Sequence, residues 1–225
     1  MKMRVLGSGL LSVVALLAQV APAVAEVDGK SVSAAQVSPS DAVTLMEDIA
    51  GRLSSAPVIA GRFEQSKTIH GFKNPLISSG VFIIARDQGI FWHTQLPFES
   101  KLTVTPERIS SQQDDGAVNT LVGPGGEAAL RTVNELLFAI MTANLHVLAE
   151  RFEIAGQSHQ GENWTLDLVP RDAMLRQWLS RVELQGDAYV QKVVLHEKQG
   201  DRSVIVLNGH DASQSLRKSD AQRFQ

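Results

Sequence analysis

No cysteine occurs anywhere in the 225 residues. That excludes disulfide bonds, a zinc site completed by thiolates and a lipid anchor on a cysteine. Positive charge is not in excess either: 21 Lys and Arg face 24 Asp and Glu, a formal charge of −3. Such a balance argues against nucleic acid and against standing attachment to anionic lipid surfaces. Beyond the first 25 residues no uninterrupted apolar run reaches ~18 residues, so no later segment reads as a membrane-spanning helix.

Marks of bond-making chemistry are also missing. The six histidines (His70, His93, His146, His159, His196 and His210) are scattered, with no pair at metal-ligand spacing on one helix face. They read as structural or solvated side chains, and no metal or cofactor is expected. No Gly-x-Ser-x-Gly elbow appears, and no serine stands beside an obvious base. Gly123-Pro124-Gly125-Gly126 precedes a helical stretch but lacks the lysine and hydroxyl of a phosphate loop. Asp114-Asp115-Gly116 reads as a loop and not a calcium repeat, and the sequon at Asn163-Trp164-Thr165 reads as idle. The expectation is a protein that is not an enzyme.

What is present begins with an address. Lys2 and Arg4 precede a mostly apolar run over residues 5–20, and Ala23-Val24-Ala25 makes a small-x-small cleavage site. Residues 1–25 read as a secretory signal, which makes the product a free periplasmic protein. Loss of Lys2 and Arg4 takes its formal charge from −3 to −5. Residues 26–37 read as a flexible leader, 38–210 as one domain, and 211–225 as a polar tail expected to be mobile.

Within the domain, Ser38-Pro39-Ser40-Asp41 has the cap, first-turn proline and acid of a helix start. Leu45, Ile49 and Leu53 then form its apolar stripe. Strand patterns follow at 58–68, 80–86, 90–94 and 101–105, with a weaker one at 107–111. Residues 127–148 read as one helix, with Leu130, Val133, Leu136, Leu137, Ile140 and Met141 at three-and-four spacing. Strands resume at 151–155 and 164–169. Residues 172–180 are a short helix or a loop with Leu175, Trp178 and Leu179 turned inward. Segments 181–185, 190–197 and 202–207 complete the strands. Short strands joined by tight turns build an antiparallel sheet, with two apolar helical insertions docked on its concave face.

The stretch over residues 80–98, GVFIIARDQGIFWHTQLPF, carries much of the chain's apolar wealth. Phe63-x-Gln65, then Ser79-Gly80, Arg86, Trp92-His93, Pro97 and Glu99-Ser100 fall in the order found in the LolA family of periplasmic lipoprotein carriers. A second block, from Leu166 to Pro170-Arg171 followed by paired strands around Gly200, is similar to the same family. Asp87 stands where the family usually has proline, and the plain segment 107–113 replaces a strand bearing tryptophan and tyrosine. The chain therefore resembles a divergent branch, for which another acylated molecule is a plausible cargo.

This resemblance implies an α+β fold: a strongly curved antiparallel sheet of about eleven strands, forming an incomplete barrel covered by a helical lid. It implies an apolar lumen for the acyl chains of lipoproteins or another acylated lipid, an inner-membrane LolCDE-type transporter as donor and an outer-membrane LolB-type acceptor. A monomer is expected. Strand parity places Phe82 and Ile84 on one face and Ile90 and Trp92 on the matching face across the hairpin. With Phe63, Leu166 and Leu168 they are expected to line the acyl cavity. Arg86 is expected to act as a gate, bonding free carbonyls of the 136–148 helix, where Leu137, Ile140 and Met141 supply apolar cover. Two other readings stay open: an accessory protein presenting lipid-linked intermediates to an envelope enzyme, and a structural module with a permanently closed core.

Overall fold

The computed structural model describes residues 39–113, 118–122, 127–157, 163–173 and 175–224. The expected signal, leader and Ser38 cap, and the loops at 114–116 and 123–126, lie outside the described residues, as do the side chains of Leu130 and Val133. Helix α1 (Pro39–Arg52) leads into a meander of β1 (Val58–Thr68), β2 (Leu76–Ala85), β3 (Gly89–Leu96), β4 (Ser100–Val104), β5 (Ile109–Gln113) and β6 (Val118–Val122). Helices α2 (Glu127–Thr142) and α3 (Leu145–Arg151) follow. Strands β7 (Phe152–Gln157), β8 (Trp164–Pro170), β9 (Leu179–Gly186), β10 (Val190–Glu197) and β11 (Arg202–Ser213) finish the sheet, before a short α4 (Lys218–Ala221).

All eleven strands join one antiparallel sheet in the order β6-β5-β4-β3-β2-β1-β11-β10-β9-β8-β7. Its first and last strands, β6 and β7, remain edges, so the barrel is incomplete. The chain passes from one edge to the other through α2 and α3, and these helices with α1 form the lid over the concave side. Residue parity then sorts the strands cleanly. Phe63, Phe82, Trp92, Leu102, Ile109, Leu166, Leu184, Val193 and Ile205 turn inward into one buried cluster with Ile49 of α1 and Leu136, Leu137, Ile140 and Met141 of α2.

Most expected elements are present, and the departures have local causes. Strand β2 starts at Leu76, four residues early, because Lys67 at the far end of β1 pairs with it. Strand β6 was not anticipated from the sequence. The single helix expected over 127–148 is broken. Ala143 takes a positive φ of 46°, its N–H reaches the Ile140 carbonyl, and the Asn144 N–H reaches the Ala139 carbonyl. These are the two bonds of a Schellman stop, here built on alanine where glycine is the usual cue. Asn144 then caps α3 by accepting from the Val147 N–H at 3.4 Å.

The expected end of the domain at residue 210 is corrected. The last strand is expected to end at Leu207 and a polar tail to begin at Asp211, yet β1 supplies partners as far as Val58↔Ser213, so β11 continues. The tail expected to be mobile is instead docked. Phe224 and Leu216 cover Val58, Ile83, Ala85 and Phe91 on the outer face of the sheet. The Arg223 guanidinium lies 4.9 Å from the centre of the Phe91 ring, and the Thr103 hydroxyl donates to the Arg223 carbonyl at 3.3 Å. Parity put Phe91 opposite Trp92, and an apolar ring on that outer face needs such a cover.

Candidate functional site: the lidded interior

All seven side chains expected to line a cavity lie together. Phe63, Phe82, Ile84, Ile90, Trp92, Leu166 and Leu168 are buried in one cluster, and the lid residues Leu137, Ile140 and Met141 join it. At its centre the Trp92 indole stacks on Phe63, with ring centres 3.9 Å apart, and lies 6.0 Å from Phe82 at 23°. The Phe63–Trp92 contact crosses the intervening β2 because Gly80 leaves the space: a Cβ there would come within 2.9 Å of the Phe63 ring and collide with the His93 carbonyl. With the helices in place these described side chains pack against one another. A cavity of about 10 Å³ lies at one end, bounded by Leu53 and Ser54 after α1, Met141 and Thr142 of α2, Phe82, Ile84 and His210 of the sheet, and Tyr189 of the β9–β10 turn. That is room for one water at most.

Arg86 sits where expected, exposed at the tip of the β2–β3 hairpin, and it does bond carbonyls beside a lid helix. Those carbonyls are not on the 136–148 segment, and the expectation is corrected on that point. Arg86 Nε donates to Ala56 O at 3.1 Å and an Arg86 terminal nitrogen donates to Ser54 O at 3.3 Å. The reason is register. Ala85 pairs with Val58, so the segment running from α1 into β1 passes beside the hairpin tip, and the Arg86 N–H continues the contact to Pro57 O. The same segment is held from the other half of the sheet. Ser54 N donates to Ala188 O at 2.8 Å, and Arg52 pairs with Asp187 at 3.1 Å. The end of α1 is thus bridged to the β2–β3 and the β9–β10 turns, mostly through exposed polar contacts.

His210 was not singled out from the sequence. Inward positions on β11 run Ser203, Ile205, Leu207, which would leave residue 210 outside. The pairing passes from Arg62↔Asn208 to Ala60↔Asp211, so Gly209 and His210 together oppose Gly61 alone. Gly209 takes the left-handed φ of 60° that such a bulge requires. The slip turns His210 inward, where it stacks on Tyr189 at 4.7 Å and meets Phe82 edge-on at 5.9 Å. Its Nε2 lies 3.1 Å from Val190 O. Only the register of β1 against β11 reveals this; the dipeptide Gly209-His210 alone carries no such signal.

Burial pushes the His210 pKa below its ordinary 6.5, and the bond to Val190 O offsets only part of that. Among the described residues no Asp, Glu, Lys or Arg borders the adjoining cavity. The fold therefore holds a neutral imidazole while the unfolded chain protonates near 6.5. Stability from this group is fully present above 6.5 and is lost as pH falls through that value toward the lowered folded pKa. Urea unfolding of the wild type should show a lower midpoint at about pH 5 than at about pH 7.5. His210→Phe should lessen that difference, and an undiminished one would assign the acid sensitivity to other groups.

The chain is thus an antiparallel half-barrel with a helical lid over an apolar interior. It belongs to the LolA family: the family described as outer membrane lipoprotein carrier protein LolA matches residues 54–224. Among solved structures it is similar to a LolA superfamily protein from Nitrosomonas europaea, at 8% identity and a TM-score of 0.43, covering 79% of this chain and 96% of that one. It is also similar to the lipoprotein LppX of Mycobacterium tuberculosis, at 6% identity and a TM-score of 0.43, covering 80% and 100%. No curated protein matches it. Among the described residues no three metal-ligating side chains come together.

Proposed function

We propose that this protein is a periplasmic carrier that shelters the acyl chains of lipoproteins, or of another acylated lipid, and passes them toward the outer membrane without covalent chemistry. The observation that carries this reading is the continuous apolar cluster formed between the sheet and the lid helices. Burying a methylene contributes about 0.8 kcal/mol, so a sixteen-carbon chain holds on the order of 12 kcal/mol against transfer into water. Membrane-bound acylated molecules need a closed apolar shelter to cross an aqueous space. Because the lid side chains Leu137, Ile140 and Met141 are buried in this cluster, cargo enters by displacing them. One set of apolar contacts is exchanged for another, and the net cost of opening is small. An inner-membrane LolCDE-type donor and an outer-membrane LolB-type acceptor are the partners of this reading, with the carrier acting as a monomer.

The test is direct. The purified protein is titrated with a fluorescent fatty-acyl probe, and separately incubated with membranes bearing acylated cargo. Saturable binding, with release of cargo into the soluble fraction, is expected. A protein that binds no acyl probe and releases nothing would be a structural module with a permanently closed core.

A further inference from the structure

Two tryptophans in this fold are buried to within 1% of full coverage, Trp92 and Trp164. Their indole N–H groups are treated differently. Trp164 Nε1 donates to Asp187 O at 2.7 Å. Trp92 Nε1 is buried with no hydrogen-bond partner among the described residues. Buried indole N–H groups ordinarily find an acceptor, because leaving a donor unpaired in an apolar setting is costly. Phenylalanine would fill much of the same space at Trp92 without that penalty. The ring is also not free to search for a partner, since Phe63 stacks on it and Phe82 lies alongside.

A second unpaired donor lies in the same row of the concave face. Trp92 pairs with Leu102, and Leu102 pairs with Ser111, so the three stand side by side across β3, β4 and β5. Ser111 is 4% exposed, and its hydroxyl also lacks a partner among the described residues. The side chain between them, Leu102, is apolar and buried in the common cluster. Within this row of the concave face the lidded protein therefore leaves two hydrogen-bond donors unused, while the Ser203 hydroxyl of β11, elsewhere on the face, is another donor without a partner among the described residues.

Resting on the carrier reading above, we propose that Trp92 is a specificity-determining residue whose N–H binds the carbonyl oxygen of an ester- or amide-linked acyl chain, with the Ser111 hydroxyl as an auxiliary donor. A plain hydrocarbon chain of equal length leaves both donors unpaired, as the lid does. A carbonyl-bearing chain satisfies what the lid cannot. Recognition of the linkage then favours the loaded state over the closed one, and lets a site built for length also distinguish chemistry.

The test uses a long-chain fatty acid methyl ester and the hydrocarbon of matched length, each competed against a fluorescent acyl probe in wild type and in Trp92→Phe. Comparing the ester-to-hydrocarbon preference between the two proteins cancels the ligands' different hydrophobicity. One buried hydrogen bond predicts that this preference falls about tenfold in Trp92→Phe. In wild type, the indole proton resonance of Trp92 should move downfield with the ester and not with the hydrocarbon, a readout that stands even if the variant folds poorly. An unchanged preference, or the same resonance with both ligands, would overturn the role of Trp92 while leaving the carrier reading in place. Failure of wild type to bind either ligand would instead remove the carrier reading and this inference with it.

Discussion

Gly80→Val is expected to cost the fold a large share of its stability. Gly80 lies on the inward face of β2, opposite Phe63 on one side and Thr94 on the other. Its missing side chain is the space through which Phe63 reaches Trp92. A Cβ would meet the Phe63 ring at 2.9 Å and the His93 carbonyl closer still, and the latter is backbone that cannot step aside without opening the β2–β3 ladder. Valine adds two further carbons to that clash. Overpacking of this kind costs about 1–3 kcal/mol, and losing an aromatic stack adds about 1 kcal/mol. A loss of about 3 kcal/mol or more follows, a large share of the roughly 5–15 kcal/mol that holds a domain together. Gly51 is the natural control. It lies within α1, and a Cβ there meets nothing within 4 Å. Gly51→Ala should stabilise by about 0.5–1 kcal/mol through helix propensity. Urea midpoints of both variants check the pair. A Gly80→Val protein as stable as wild type would mean that the Phe63–Trp92 stack does not organise the interior.

The second large effect is expected on transfer and not on stability. Arg86→Leu should fold normally, because the side chain is exposed and the backbone bond from Arg86 N to Pro57 O is untouched. What disappears is the pair of charged-donor bonds to Ser54 O and Ala56 O. Bonds of this type are worth roughly 1.5–3 kcal/mol when shielded and less at a wet rim. On the carrier reading proposed above, such small terms suit a reversible latch that acyl burial would displace and whose return would help expel cargo. Without it the closed, empty state loses on the order of tenfold in population relative to the loaded one. Arg86→Leu should therefore bind a fluorescent acyl probe at least as tightly as wild type and deliver it to acceptor membranes about tenfold more slowly. Normal binding with unchanged transfer would make Arg86 an ordinary surface residue.

Much of the architecture was legible because the relevant forces are local. Period-two alternation placed Phe82, Ile84, Ile90 and Trp92 on one face, since a strand's side-chain direction depends only on its own parity. Apolar spacing at three and four marked α1 and the apolar face of α2 for the same reason. The order of Phe63, Gly80, Arg86, Trp92 and Pro97 carried the resemblance to a lidded half-barrel. The split between α2 and α3 stayed hidden because alanine, not glycine, occupies the left-handed stop at residue 143.

Other features depended on which segments meet in space. No pattern within Asn208–Ser213 marks a strand; pairing with β1 makes it one, by supplying backbone partners that water would otherwise provide. The same pairing carries the bulge that turns His210 inward. Arg86 was assigned the right chemistry and the wrong neighbour, because five guanidinium donors announce a carbonyl partner but not whose carbonyls lie within reach. Residue type and parity are properties of the chain alone and were set in the sequence. Register, docking and the pairing of buried donors are relations between distant segments, and only the tertiary structure decided them.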